Sequence, residues 1–324
     1  MLSSFPDYGA IRVRLPITRM ETLANLPEVK LIRPADEATT NKLSPPPPTL
    51  LPEDRGSFLP RNVRPSRAEW EANVRAQLGE ALPRFAQART GSITDGPITN
   101  VVNTSQGDVA HRANLARSTF GVNGAGIKIG VLSDGVNTLA SRQASGDLPP
   151  VVTVLAGQAG SGDEGTAMLE IVHDLAPGAD LYFATAFSGQ ARFATNILAL
   201  EAAGCDIIVD DVGYFAEPVF QDGIIAQAVN TVTAAGALYF SSAGNSGNKN
   251  DNTSGVWEGD FVAIAAPGVV GGTAHNFGGG QNFNTITVDS PSLFTLQWSD
   301  ASGASANDYL TLRARCKKGV ESAT

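Results

Sequence analysis

Gly162-Asp163-Glu164-Gly165-Thr166-Ala167-Met168-Leu169-Glu170-Ile171-Val172-His173-Asp174-Leu175-Ala176-Pro177-Gly178-Ala179 is the stretch on which the reading of the fold turns. Thr166 to Asp174 predicts a helix. The Ala-Pro-Gly-Ala that follows stops it, because proline cannot continue a helix. Leu181 to Thr185 then reads as a strand, and Ile127 to Leu132, upstream, as a buried one. Working outward, Phe193–Ala203 predicts a helix, Ile207–Val209 a strand, Gly223–Ala235 a helix and Leu238–Ser242 a strand. Strands alternating with helices from 121 to about 270 imply an α/β core, a parallel sheet covered by helices on both faces.

The flanks have a different character. Residues 1–40 hold a small β-α-β fragment. Ile11–Leu15 and Val29–Arg33 alternate like strands, and Thr18–Ala24 reads as a helical turn with Thr18 and Glu21 spaced as a capping box. Residues 41–65 form a proline-rich linker, with Pro45 to Pro48 in succession. Residues 66–120 read as helical lead-in, through 66–89 and 107–120. Beyond 270, Thr285–Val288 and Phe294–Trp298 alternate with period two, which predicts an incomplete antiparallel β segment over 271–309. The pattern breaks at 310–324, where Arg313, Arg315, Lys317 and Lys318 cluster; this end reads as an artificial terminus or as a frayed basic tail.

Composition narrows the function classes. At 324 residues with 42% hydrophobic and 17% charged residues, the chain has enough apolar material for a large core. A net charge of -9 argues against a nucleic-acid surface, which needs clustered lysine and arginine. No apolar run reaches membrane-spanning length, so no membrane partner is expected. Cys205 and Cys316 form neither a metal spacing nor a disulfide framework. Gly121, Gly124 and Gly126 precede the strand rather than follow it, against a dinucleotide fingerprint. The N-terminus lacks the basic and apolar regions of a secretory signal, which leaves localisation open.

Three segments, in order, resemble the core of subtilisin-like serine peptidases of the subtilisin/sedolisin clan. The first is Ile129-Gly130-Val131-Leu132-Ser133-Asp134-Gly135-Val136, where the family carries its catalytic Asp at the end of a buried strand. Asp134 is the candidate, although Ser133 fills the expected slot and Asp134 comes one place late. The second is the opening stretch, in which Glu164 stands where the family has the histidine of His-Gly-Thr. The third is Ser241-Ser242-Ala243-Gly244-Asn245, similar to the Ala-Gly-Asn turn whose Asn donates into the oxyanion hole. Residues 9–34 resemble, loosely, the last part of an inhibitory propeptide.

The resemblance implies a subtilisin-like fold, a polypeptide substrate, and peptide-bond hydrolysis through a serine acyl-enzyme. Asp134, Glu164 and Asn245 would be catalytic, and Asp211, Val212 and Gly213 would border the substrate cleft. No cofactor is required; calcium is possible by resemblance alone, and no metal ligand is assigned. Resemblance also suggests an extracellular enzyme. A carboxylate replaces imidazole as general base when its pKa suits the operating pH. Sedolisins do this with Glu and Asp four apart on one helix, but Met168 takes that second position here. Asp134, Asp210 or Asp211 would have to supply the second carboxylate in space.

Read without the resemblance, Asp134 caps the next turn, Glu164 favours a helix N-terminus through the dipole, and Gly244-Asn245 is an ordinary turn. The nucleophile is the gap. Ser254 and Ser305 precede no helix, so neither qualifies, and the serine is expected beyond residue 324. His111, His173 and His275 lack the His-Gly-Thr context. Two further readings stay open: a non-catalytic binding protein that retains the cleft, and an acid-active Ser-Glu-Asp peptidase.

Overall fold

A computed structural model describes residues 2–30, 32, 35–40, 104–245, 247, 248, 250, 254–268, 272–284, 294–301, 304–307 and 309. The chain divides into two units. The first is Met1–Gly244 with Ser299–Ser305; the second is Asn245–Trp298 with Ala306–Thr324.

The first unit is built on five parallel strands. β4 (Lys128–Ser133) is central, and every residue after Lys128 is buried, which is why the run carries no polar alternation. β6 (Asp180–Thr185) lies on one side of β4, with β5 (Val152–Val154) beyond it. β7 (Ile207–Asp210) lies on the other, followed by β9 (Leu238–Ser241). Pleating sends alternate residues to opposite faces. Ile129 and Val131 pack with Leu169, Leu181 and Phe183, whereas Leu132 packs with Phe193, Ile197, Leu200 and Ile208. The sheet thus has a core on each face.

α5 (Glu164–Leu175) covers the first core, burying Gly165, Thr166, Leu169 and His173 at helical spacing. α6 (Gln190–Ala202) and α7 (Ile224–Ala235) cover the second. Fully burying one leucine such as Leu169 contributes about 1.5–3 kcal/mol. Gly130 lets α6 come close: a Cβ there would stand 3.0 Å from Leu200. α7 stops at Gly236, whose left-handed backbone permits Gly236 and Ala237 N–H to bond back to Val232. A short helix, α4 (Leu139–Ser145), fills the β4–β5 connection.

The parallel sheet agrees with the expectation; β5 and α4 are additions to it. The flanks need correction. Ile11–Leu15 is a strand only over β2 (Ala10–Arg12), and its partner is β1 (Ser3–Phe5). Pro6–Tyr8 forms the tight turn, so hairpin neighbours pair first. Among the described residues of 29–33 there is no strand; instead β3 (Thr39–Thr40) forms. Thr18 does not cap a helix. It lies inside the 3-10 turn Ile17–Arg19, and Arg19 precedes α1 (Met20–Ala24) with no side-chain cap. The lead-in helix over 107–120 is two helices, α2 (Gln106–Ala110) and α3 (Ala113–Phe120), broken where Arg112 turns to φ 58.

In the second unit, β10 (Ala263–Ala265) pairs antiparallel with β11 (Thr273–His275). Trp257, His275 and Phe277 pack edge to face beside them. Phe294–Trp298 alternates in sequence but forms no strand. The expected helix over 66–89, the linker 41–65, the strand 285–288 and the tail 310–324 lie outside the described residues.

Candidate functional site

The connection from β4 runs out to β5, and the connection from β7 runs the opposite way to β9. Their carboxyl ends therefore flank a crevice, the place where open α/β sheets hold ligands. Ser133 ends β4 and Asp134 follows it; Asp210 ends β7 and Asp211 follows it. Leu132 pairs with Asp210 in register, which brings Ser133 and Asp211 to neighbouring strand ends.

Asp134 is 3% exposed. Its Oδ1 accepts from the N–H groups of Gly135 at 2.6 Å, Glu164 at 2.9 Å and Gly165 at 3.3 Å. Asp134 and Glu164 are thus brought together at the helix N-terminus, through the Glu164 N–H. The Asp134 charge sits where the first N–H groups of α5 lack helical partners. Glycine surrounds this contact. A Cβ on Gly162 would lie 1.9 Å from Asp134 Oδ2, and one on Gly165 would lie 2.4 Å from the Phe183 ring. Asp163, just ahead of α5, accepts from Thr138 N–H at 2.7 Å and its hydroxyl at 2.8 Å. The Thr138 hydroxyl bond is the main reason its carboxyl is held below its usual range.

Asp210 and Asp211 are consecutive but point differently, as strand alternation requires. Asp210 is 3% exposed. It accepts from Tyr239 Oη at 2.6 Å, Ser241 Oγ at 2.9 Å and Val212 N–H at 3.1 Å. Burial raises its pKa and these donors hold the rise back. The Asp211 pKa is pushed up to about 7. Burial is the largest cause; the Ser133 hydroxyl opposes it, and the neighbouring Glu164 and Asp210 charges add to it.

Val212 and Gly213 form the short strand β8, which is occupied. Thr40 pairs with Val212 and Thr39 with Gly213, antiparallel, and the Thr39 hydroxyl donates to Gly213 O at 3.1 Å. Ala38 is buried. The segment ahead of the strand is tied down by Gln190, whose amide donates to Asp36 at 2.6 Å, and by the Arg12–Glu37 ion pair. Tyr214, next in the chain, is also held: its hydroxyl donates to Ala186 O at 2.7 Å and accepts from Gly189 N–H at 3.1 Å.

Asn245 is exposed and opens the second unit, directly after Gly244 at φ 74. Ser305 donates to Asp300 at 2.6 Å and Ser254 to Val256 O at 3.1 Å; neither begins a helix. His173 is buried near the end of α5, His111 follows α2, and His275 accepts the Val262 N–H in the second unit. Among the described residues, no group of three or more His, Cys, Asp or Glu could hold a metal ion, so the calcium implied by resemblance gains no residues. No helix among them is long and apolar enough to cross a membrane.

Sequence reasoning missed Tyr239 and Thr39–Thr40; it placed Asp211 at the cleft edge and offered it, with Asp134 and Asp210, as a second carboxylate. A tyrosine inside Leu238–Ser241 was visible, but its bond to Asp210 depends on strand pairing. A scan against protein-family models finds no match, and a search of the curated proteins finds none either.

Proposed function

We propose that this chain carries the peptide cleft of a subtilisin-like serine endopeptidase, with an extended polypeptide as its ligand. One observation carries the reading: Thr39–Thr40 lies as an antiparallel strand on Val212–Gly213, next to the crevice that holds Asp134, Glu164 and Asp211. Edge pairing of this kind gives affinity through main-chain hydrogen bonds and recognises backbone rather than sequence. The order of Asp134, Glu164 and Gly244-Asn245 supports the family reading. Hydrolysis through an acyl-enzyme needs a serine on a helix N-terminus beside the base. Ser254 and Ser305 do not meet that need, so the expected behaviour of this chain is peptide binding without turnover.

The test uses the full chain and a fluorescent peptide copying residues 35–42. Thr39→Pro removes an N–H and disfavours the resident strand. The peptide is expected to bind this variant at least tenfold more tightly than the parent, and Gly213→Val in the same background to reverse the gain. Absence of binding to either protein, or binding indifferent to Gly213→Val, overturns the cleft reading. Cleavage of the peptide that a serine-directed phosphonate abolishes overturns the expectation of no turnover.

A further inference from the structure

We infer that the cleft selects peptides with an acidic side chain two residues ahead of a small one, and that Gln190, at the start of α6, is the specificity-determining residue that reads the acid. This rests on the peptide-cleft reading and names the class of ligand it serves. Asp36 to Thr40 of this chain stand in for that ligand.

The resident segment lies as an extended peptide would. Exposure alternates along it: Ala35, Glu37 and Thr39 are exposed, Asp36 and Thr40 are half-buried, and Ala38 is buried. That is the period of an extended chain with one face turned down. Main-chain pairing joins Thr39 to Gly213 and Thr40 to Val212, and it carries no sequence information. Selection therefore falls to the inward side chains. Ala38 is 7% exposed and belongs to the core that holds Phe193, Val212, Tyr214 and Ile225. A single methyl fits such a close-packed wall, and a longer side chain must displace it.

Asp36 meets a built seat. Gln190 is 3% exposed, and its Nε2 donates to Asp36 Oδ2 at 2.6 Å. Gln190 is also the first residue of α6. The carboxylate is thus held from the helix end whose first N–H groups lack helical partners, an end that favours negative charge. The turn into α6 is fixed as well. Ser188 at φ 76 and Gly189 at φ 101 bend the chain sharply after β6, and the Tyr214 hydroxyl accepts the Gly189 N–H at 3.1 Å. A buried amide donor on a positive helix end suits a carboxylate, whereas a lysine there would face charge of its own sign. Glu37 differs. It is exposed and pairs with Arg12 of β2, and an ion pair open to water contributes little.

The experiment is a peptide series on the full chain carrying Thr39→Pro, read by fluorescence anisotropy, with the peptide copying residues 35–42 as reference. Asp36→Ala in the peptide is expected to weaken binding at least tenfold, because it strips the Gln190 amide of this acceptor. Asp36→Asn should weaken it at least fivefold. Glu37→Gln removes the same charge one position along and should cost twofold or less. Ala38→Leu should weaken binding at least tenfold. In the protein, Gln190→Glu should lose the reference peptide at least tenfold and should bind the Asp36→Lys peptide more tightly than the Thr39→Pro protein does. Equal losses for Asp36→Asn and Glu37→Gln would mean attraction by net charge alone and overturn the reading of position 36. A Gln190→Glu protein that ranks the peptides as before overturns the role of Gln190. The peptide series needs no second substitution in the protein, so it decides alone if Gln190→Glu fails to fold. Equal binding of every peptide overturns the selection and leaves the cleft standing. Absence of binding by every peptide, the reference included, sinks the cleft reading and the selection with it.

Discussion

The amide nitrogen of Glu164 lies 2.9 Å from Oδ1 of Asp134, so the acid at the end of the central strand anchors the first turn of the helix that crosses it. The two residues are thirty apart in sequence and belong to different secondary elements. Their contact fixes the distance between β4 and the start of α5.

Removing that anchor tests its weight. Asp134→Ala leaves N–H groups in the crevice without an acceptor, a change expected to cost about 2–3 kcal/mol in urea unfolding. Asp134→Asn keeps one oxygen and should cost less than half as much. Gly162→Ala drives a methyl onto Asp134 at a backbone φ of +126 and should match or exceed the Asp134→Ala loss.

Tyr239→Phe removes the hydroxyl that lies 2.6 Å from Asp210 Oδ2. Burial already raises the Asp210 pKa, and this donor works against it. Without the hydroxyl the folded state holds its proton to higher pH. The charged form then becomes costlier, so the loss, about 1–3 kcal/mol, is larger where Asp210 is ionised than where it is protonated. A loss that does not change with pH would contradict the assignment.

The sheet was legible because buried parallel strands are continuous apolar runs, as Ile127–Leu132 and Leu181–Thr185 are. The place of Asp134 and Glu164 was legible from the short segments around them. The direction of their side chains was not. Whether Asp134 meets a backbone or a carboxyl depends on how close Gly162 and Gly165 let α5 approach, which no local pattern encodes. Asp211 comes to the strand end beside that of Ser133 only through the register of β4 on β7. β5 was missed because three residues after Pro149-Pro150 carry too little periodicity, and β3 because two threonines carry none.

His173 should respond to acid. Burial holds its pKa below the ordinary 6.5, against the pull of Asp174. The unfolded chain therefore takes up the proton first, and this stabilisation is lost as pH falls through 6.5. A single such group changes stability by at most about 1.4 kcal/mol per pH unit. Comparing thermal unfolding of the parent and His173→Leu between pH 7 and 5 isolates it, because the buried carboxyls are common to both. Parallel curves would rule the effect out.

Arg117 closes the far end of α5. It donates to the carbonyls of Asp174 at 3.1 Å and Leu175 at 2.9 Å while paired with Asp108 at 2.7 Å. Arg117→Met keeps the aliphatic stem, strands the buried Asp108 and opens two helix-end carbonyls. A loss of about 2 kcal/mol is expected, with faster amide exchange confined to α3 and the last turn of α5. Exchange that accelerates evenly over the whole sheet would argue against a local clamp.

The bond from Thr39 to Gly213 joins residues 174 positions apart. Loop closure over so long a chain is slow and gains nothing until Gly213 has a fixed position. β7, which precedes β8, must already lie against β4, and that strand in turn against β6. The first forty residues are therefore expected to dock after the sheet has formed, leaving the edge at Val212–Gly213 uncovered until they do.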